Sequence, residues 1–102
     1  MKTIRVVVKN PREPAKIVMI ENSLDALQKL VGGSIEAIRP FPRVHAYVNE
    51  EGKLLGLLAN FSYGSDVIAG PAVFSKADAE GEEIGFEDEE EAQEIVSKLA
   101  RL

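Results

Sequence analysis

A short run in the middle of the sequence combines positive charge with aromatic rings. Arg39, Arg43, His45 and Tyr47 lie close together in the chain. Guanidinium groups pair with phosphate oxygens through two parallel hydrogen bonds, and aromatic rings stack on nucleobases. Apolar residues alternate from Val44 to Val48, which predicts a strand with His45 and Tyr47 on the face opposite the core. The pattern favours a surface that binds a small anionic ligand, such as a nucleotide.

A second group of residues extends this predicted surface. Asn60, Phe61 and Tyr63 fall in a glycine-containing stretch, Asn60 to Asp66, which reads as a loop. We assign them to the ligand-binding surface because two aromatic rings in one loop suit base stacking. The alternative is that Tyr47 and Phe61 belong to the core and that the arginines are merely solvated.

Residue types that would carry catalysis or bind metal are scarce. His45 is the one histidine and cysteine is absent, so a catalytic triad would have to use His45 with a nearby serine. No nucleophile-elbow pattern surrounds Ser62 or Ser65. The acidic run Glu87–Glu91 lacks the glycine-bearing loop of a calcium site, and Gly32-Gly33 follows a helix rather than a strand. We therefore expect no catalytic residues, no metal, no cofactor and no enzymatic activity.

Length and charge bound the class of protein. A chain of 102 residues is the size of one domain, residues 1–102. Residues 1–77 carry ten Lys and Arg against seven Asp and Glu, whereas residues 78–102 carry two against ten. The acidic end is either a solvated helix face or a surface that meets a basic partner. With no signal peptide or membrane span in the sequence, we expect a cytoplasmic protein that does not enter a membrane.

The first half of the chain predicts two strands, a helix and a third strand. β-Branched residues favour strands at Thr3–Lys9 and Lys16–Glu21, joined by a proline-containing turn. Ser23 is a suitable N-cap for a helix from Leu24 to Val31, and Gly32 or Gly33 can end it. A strand then covers residues 34–39, and Pro40-Phe41-Pro42 forms a stiff break.

The stretch from Val44 to Phe74 has the most β-type pattern, and the rest of the chain is expected to pack around it. We predict a turn at Glu50-Glu51-Gly52, with Gly52 at positive φ, and a return strand from Leu54 to Leu58. A third strand covers residues 67–74 and lies at an edge or breaks at Pro71, because proline cannot donate to a ladder. Three adjacent antiparallel strands are the expected result.

The C-terminal part predicts a brief edge strand at most, over residues 82–86, and then a capped helix. Asp88 and Glu91 have the spacing of a capping box, and apolar residues recur at helical spacing from Ala92 to Leu102. The predicted order is ββαββββα. The fold class is α+β, a mostly antiparallel sheet with two helices packed on one face.

Excess apolar surface also predicts self-association. The leucine-rich run from Leu54 to Leu58 presents more apolar surface than two short helices are expected to cover. Pro71 also marks a disrupted strand edge. A symmetric homodimer or higher homo-oligomer would hide this surface, since twofold closure is the commonest arrangement.

Several blocks of the sequence resemble a known family. The segment Ser23 to Glu36, SLDALQKLVGGSIE, is similar to the family called domain of unknown function 3846. So are Asn49 to Leu54, Leu57 and Asn60, and Asp66 to Pro71, so that the resemblance covers most of the chain. The sequence departs from the family at Leu58, where proline is common, and at Phe61, where a basic residue is usual.

The resemblance implies a small protein of phages or bacterial mobile elements with no assigned enzymatic activity. Such proteins often counter host defence, and we expect a non-enzymatic binding protein that sequesters a nucleotide immune signal. The alternative is a protein-interaction module that inhibits a host or phage protein through its acidic tail or an exposed strand edge. If Phe61 replaces a ligand-contacting arginine, ligand choice differs from that of the family.

Overall fold

The computed structural model describes residues 2–102, which form seven strands and two helices. The elements, in chain order, are β1 (Thr3–Lys9), β2 (Lys16–Glu21), α1 (Leu24–Val31), β3 (Ile35–Phe41), β4 (Val44–Asn49), β5 (Ala59–Tyr63), β6 (Asp66–Ala69), β7 (Ala72–Lys76) and α2 (Glu89–Leu99). Five strands form one antiparallel sheet in the order β2-β1-β7-β4-β3, and β5 and β6 form a separate hairpin. The α+β class is confirmed.

The two helices cover opposite faces of the five-stranded sheet, so the expectation that both pack on one face is wrong. Leu27 and Val31 of α1 join Val6, Val8 and Val73 in one apolar cluster. The apolar face of α2 packs instead against the other face of the same strands, together with the β5–β6 hairpin, in a cluster that includes Val7, Phe74, Phe61, Ala92 and Ile95. Successive side chains of a strand point to opposite faces, and β1 and β7 are apolar at consecutive positions. Each face therefore needs its own cover.

The predicted return strand Leu54–Leu58 does not form. Residues 50–56 fold into consecutive turns, and the amide of Leu57, just after them, donates to the carbonyl of Gly52 at 2.9 Å. Both edges of β4 are already occupied, by β3 and β7, so the sheet has no place for another strand there. Gly52 also does not take a positive φ. It is buried against the carbonyl oxygen of Ala69, where a Cβ atom would collide.

The predicted loop Asn60–Asp66 is instead mostly hairpin, with β5 and β6 paired around a tight turn. The predicted third strand is expected to lie at an edge or to break at Pro71, and it breaks just before Pro71. Its second half forms β7. This strand occupies the centre of the sheet between β1 and β4. The expectation of three consecutive adjacent strands is therefore wrong, because the β5–β6 hairpin separates β4 from β7 in sequence.

Local signals at helix ends are confirmed. Ser23 accepts a hydrogen bond from the amide of Ala26, and Gly32 ends α1 with φ of 80°. Asp88 likewise accepts from the amide of Glu91 at 2.9 Å. The predicted break at Pro40-Phe41-Pro42 is shorter than expected, because β3 continues to Phe41 through a register shift after Ile38. The brief edge strand over residues 82–86 reduces to a single bridge between Ala77 and Glu83.

Candidate functional site

The candidate site lies on the α1 face of the sheet, at the end of β4 that follows the β3–β4 turn. His45 and Tyr47 project there because they alternate with the buried Val44 and Ala46. Tyr47 packs against the apolar cluster of α1. His45 lies two residues nearer the β3–β4 turn on the same strand, opposite Ser75 of β7. The segment after β7 folds back over this end of the sheet.

Glu83, on that returning segment, joins the two side chains of β4. One of its carboxylate oxygens, Oε1, accepts hydrogen bonds from His45 Nδ1 and from the hydroxyl of Tyr47. The side chains of His45 and Glu83 are only 12% and 13% exposed. The other oxygen of Glu83, Oε2, is buried and has no hydrogen-bond partner among residues 2–102. Sequence reasoning missed Glu83, because it looked like one of several acids in a polar segment.

The buried carboxylate changes the acidity of Tyr47. Burial raises the pKa of the Tyr47 phenol above its ordinary value of 10.0, and the hydrogen bond to Glu83 and the negative charge of Glu83 raise it further. The phenol is therefore a fixed hydrogen-bond donor to Glu83 at neutral pH. Tyr47 positions the carboxylate, and the ring edges of His45 and Tyr47 meet in a T-shaped contact with centroids 6.0 Å apart.

A cavity of about 220 Å³ opens beside His45 and brings the two predicted arginines to the same place. It is lined by Arg39 on β3, Arg43 in the β3–β4 turn, His45 and the segment from Ala77 to Gly81. Neither arginine has an acidic side chain within ion-pair distance in the described part of the chain. Asp78, which also borders the cavity, accepts hydrogen bonds through Oδ1 from the amides of Glu80 and Glu82 and holds its own turn.

Arg43 occupies a backbone conformation that arginine rarely adopts. Its φ is 59°, in the left-handed region that favours glycine, and it directly follows Pro42. Proline followed by a residue of positive φ is the order of a type II turn, whose third position is usually glycine or asparagine. The amide of Ala77 donates to the carbonyl of Arg43 at 2.8 Å and holds the turn against the returning segment. Unusual backbone conformations of this kind cluster at functional sites.

The other predicted ligand-binding residues lie elsewhere. Phe61 is buried on the α2 face, 5.6 Å from the ring of Phe74, so it offers no ring face to a ligand. The side-chain amide of Asn60 donates to the carbonyls of Lys9 and Gly70, which ties the hairpin to the sheet. Tyr63 is exposed at the far end of β5. The structure thus brings Arg39, Arg43 and His45 together around one cavity, with Tyr47 behind them in contact with His45 rather than in the cavity lining. It separates these residues from the second group.

A second cavity, of about 200 Å³, lies on the α2 side of the same turn and also borders Arg43. Phe41, Phe86 and Ile95 give it apolar walls, and Lys98 lies over the ring of Phe41 at 5.2 Å from its centroid. Lys76 on its edge is paired with Glu91 at 2.8 Å. Hydrogen bonding to Lys76 holds the pKa of Glu91 below its ordinary value.

The described part of the chain holds neither a metal-binding cluster nor a membrane-spanning helix. Within residues 2–102, no three or more acidic, histidine or cysteine side chains are arranged to hold a metal ion. Neither described helix has the length and apolar character needed to cross a membrane.

Comparison with known proteins identifies the family. No curated protein and no solved structure matches the chain. A family model described as "Domain of unknown function (DUF3846)" matches residues 4–100. The matched range omits the first residue of β1 and includes the rest of that strand, all other strands, both helices and the whole candidate site. The protein belongs to this family of unknown function.

Proposed function

We propose that the protein binds a small anionic ligand, a nucleotide, in the cavity between Arg39, Arg43 and His45. The observation that carries the proposal is the pair of arginines that border one cavity without any acidic partner in residues 2–102. Both arginines are exposed and border the same cavity, so an anion bound there would lie near two guanidinium groups that no ion pair neutralises within residues 2–102. An arginine fork pairs with phosphate oxygens bidentately, which makes phosphate the best-matched anion.

The volume of the cavity favours a phosphate with part of a sugar rather than a whole nucleotide. Complete small-molecule sites usually measure about 300–1,000 Å³, and this one measures about 220 Å³. A larger ligand would extend past Arg43 to the second cavity, where Phe41 and Lys98 provide an aromatic ring and a cation. Aromatic and basic groups next to a phosphate site suit the remainder of a nucleotide.

Binding without turnover fits the residues around the cavity. Ser75 lies opposite His45 in the sheet, but it is 1% exposed and cannot reach a ligand as a nucleophile. We therefore propose a sequestering protein rather than an enzyme. The family resemblance supports a more specific role, in which a phage or mobile element encodes the protein and it lowers the concentration of a nucleotide immune signal in the host cytoplasm.

Retention of ligand tests this proposal. The protein is incubated with cyclic dinucleotides and adenosine–ribose derivatives, freed of unbound ligand and heated, and the released material is analysed by chromatography. We expect one ligand class to return unchanged and in near-stoichiometric amount. Retention of none would refute the proposal, and catalytic consumption of a ligand would show an enzyme instead.

A second candidate function is protein interaction, favoured by an exposed leucine cluster. Leu54, Leu55 and Leu58 are 85%, 59% and 52% exposed in the segment that joins β4 to β5. Exposed leucines grouped in one segment are costly in water and mark contact surfaces. We propose that this segment forms the interface of a homo-oligomer, or the surface through which the protein inhibits another protein.

Light scattering after size exclusion at micromolar concentration tests the homo-oligomer. We expect a dimer or larger species, and the double substitution of Leu54 and Leu55 by serine should shift it to monomer. Leu102→Ser is the matched control, because Leu102 is 57% exposed but lies at the end of the chain, outside the leucine cluster. A strict monomer in the unmodified protein would contradict the proposal, and a stoichiometric partner from host lysate would favour the heterologous interaction.

A further inference from the structure

The proposed phosphate site leaves one polar atom beside the arginines unexplained, which is Nε2 of His45. The ring lines the cavity with Arg39 and Arg43, and its other nitrogen, Nδ1, is bound to Glu83. Nε2 makes no hydrogen bond within residues 2–102, and it is not among the buried unpartnered atoms of that part of the chain. Because Nδ1 is engaged by Glu83, Nε2 is the ring nitrogen left for a ligand in the cavity that the His45 ring lines.

Glu83 determines which nitrogen of His45 carries the proton in the neutral ring. A carboxylate can only accept, so Nδ1 must be the donor. In the neutral ring Nε2 is then an acceptor, and in the charged ring it is a second donor. An unprotonated phosphate oxygen, such as that of a phosphodiester, has no proton to give and can serve Nε2 only when the ring is charged. A hydroxyl group both donates and accepts, so it can serve Nε2 in either state.

The ring is also held in place, so Nε2 is a fixed point rather than one that adapts to the ligand. Glu83 and Tyr47 bind each other and the ring, and the His45 side chain is only 12% exposed. A ligand with a hydrogen-bonding group at the matching position binds more tightly to such a rigid polar atom. An analogue that lacks the group leaves Nε2 without a hydrogen bond and binds more weakly. Because the cavity measures about 220 Å³, the matching group must lie close to the phosphate.

From these contacts we infer that the ligand carries a hydroxyl group beside its phosphate, held by His45 Nε2 while Arg39 and Arg43 bind the phosphate. The inference rests on the proposed phosphate site and adds the chemical class of the ligand. A ribonucleotide with a 3′-phosphate, free or as a 3′–5′ phosphodiester, has its 2′-hydroxyl on the adjacent carbon. A deoxyribonucleotide lacks this group, and so does inorganic phosphate.

A matched pair of ligands tests the inference. Adenosine 3′-monophosphate and 2′-deoxyadenosine 3′-monophosphate differ only in the 2′-hydroxyl, and isothermal titration measures both on the unmodified protein. One hydrogen bond to a partly solvated atom contributes about fivefold to tenfold in affinity, which is the expected preference for the ribonucleotide. In His45→Phe, which keeps a ring without nitrogen atoms, the two affinities should agree within about twofold.

The outcomes separate this inference from the proposed function. Equal binding of both nucleotides to the unmodified protein, weakened for both by Arg43→Ala, would overturn the hydroxyl inference and leave the phosphate site intact. Binding of neither nucleotide at millimolar concentration would overturn the hydroxyl inference, whereas the proposed function falls only if the incubation experiment also retains no ligand. If His45→Phe does not fold, as monitored by circular dichroism, the comparison of the two nucleotides on the unmodified protein still decides the question.

Discussion

His45 and Glu83 are 38 residues apart in the chain, yet the imidazole of one donates to the carboxylate of the other in a nearly buried contact. The contact closes the segment after β7 over the end of β4, and the hydroxyl of Tyr47 donates to the same oxygen. The backbone reinforces the closure, because the side chain of Asn22 donates to the carbonyl of Glu83 at 3.1 Å. The Glu83 carboxylate thus holds in place both the His45 ring and the segment after β7, which together line the cavity.

Removal of this carboxylate should lower stability. Glu83→Ala leaves Nδ1 of His45 and the Tyr47 hydroxyl without their acceptor, and unsatisfied buried polar groups cost about 1–3 kcal/mol. We expect the free energy of unfolding in urea to fall by that amount. Glu82→Ala is the matched control, since its side chain is exposed and makes no hydrogen bond within residues 2–102. Equal stabilities of the two variants would show that the Glu83 contacts contribute nothing.

Stability should depend on the ionisation of Tyr47 at high pH. Burial, then the hydrogen bond and charge of Glu83, raises the pKa of Tyr47 in the folded state above the unfolded value of 10.0. The contribution of the neutral phenol is therefore complete below about pH 10 and is lost as the pH rises from there through the folded pKa. We expect the free energy of unfolding to fall more steeply above about pH 10 in the unmodified protein than in Tyr47→Phe. Parallel curves from urea titrations would contradict this.

Arg43 should be central to ligand binding. Arg43→Ala removes one of the two guanidinium groups of the cavity, and the loss of a charged hydrogen bond costs about 1.5–3 kcal/mol. We expect the affinity for the retained nucleotide to fall accordingly in isothermal titration, with little change in stability. Arg101→Ala, at the exposed end of the chain, is the charge-matched control and should bind normally. Equal affinities for the two variants would place the ligand on another surface.

A different substitution at the same position should separate binding from stability. Glycine adopts positive φ freely, whereas other residues pay roughly 1 kcal/mol for the left-handed conformation that Arg43 holds. Arg43→Gly should therefore raise the free energy of unfolding by up to roughly 1 kcal/mol while it weakens binding as much as Arg43→Ala. Thermal unfolding and titration on the same sample measure both. A loss of stability in Arg43→Gly would show that the arginine side chain supports the turn.

Short-range patterns in the sequence determined the elements whose causes are local. Ser23, Gly32 and Asp88 cap helices through hydrogen bonds and dihedral angles that involve only a few neighbouring residues. β-Branched alternation likewise indicated β1, β2 and β4, and it correctly placed His45 and Tyr47 on one face. The cavity side of β4 was predictable for the same reason, since alternation depends on the strand alone.

The tertiary structure decided everything that depends on competition between distant segments. The leucines at 54–58 have the composition of a strand, but β3 and β7 occupy both edges of β4 and leave them exposed. Phe61 lies in a hairpin that packs on the α2 face and so became core rather than ligand surface. The pairing of Glu83 with His45 follows from where the chain returns after β7, which no local pattern records. The free energy of such contacts depends on sheet order and burial, and these exist only once the whole chain has folded.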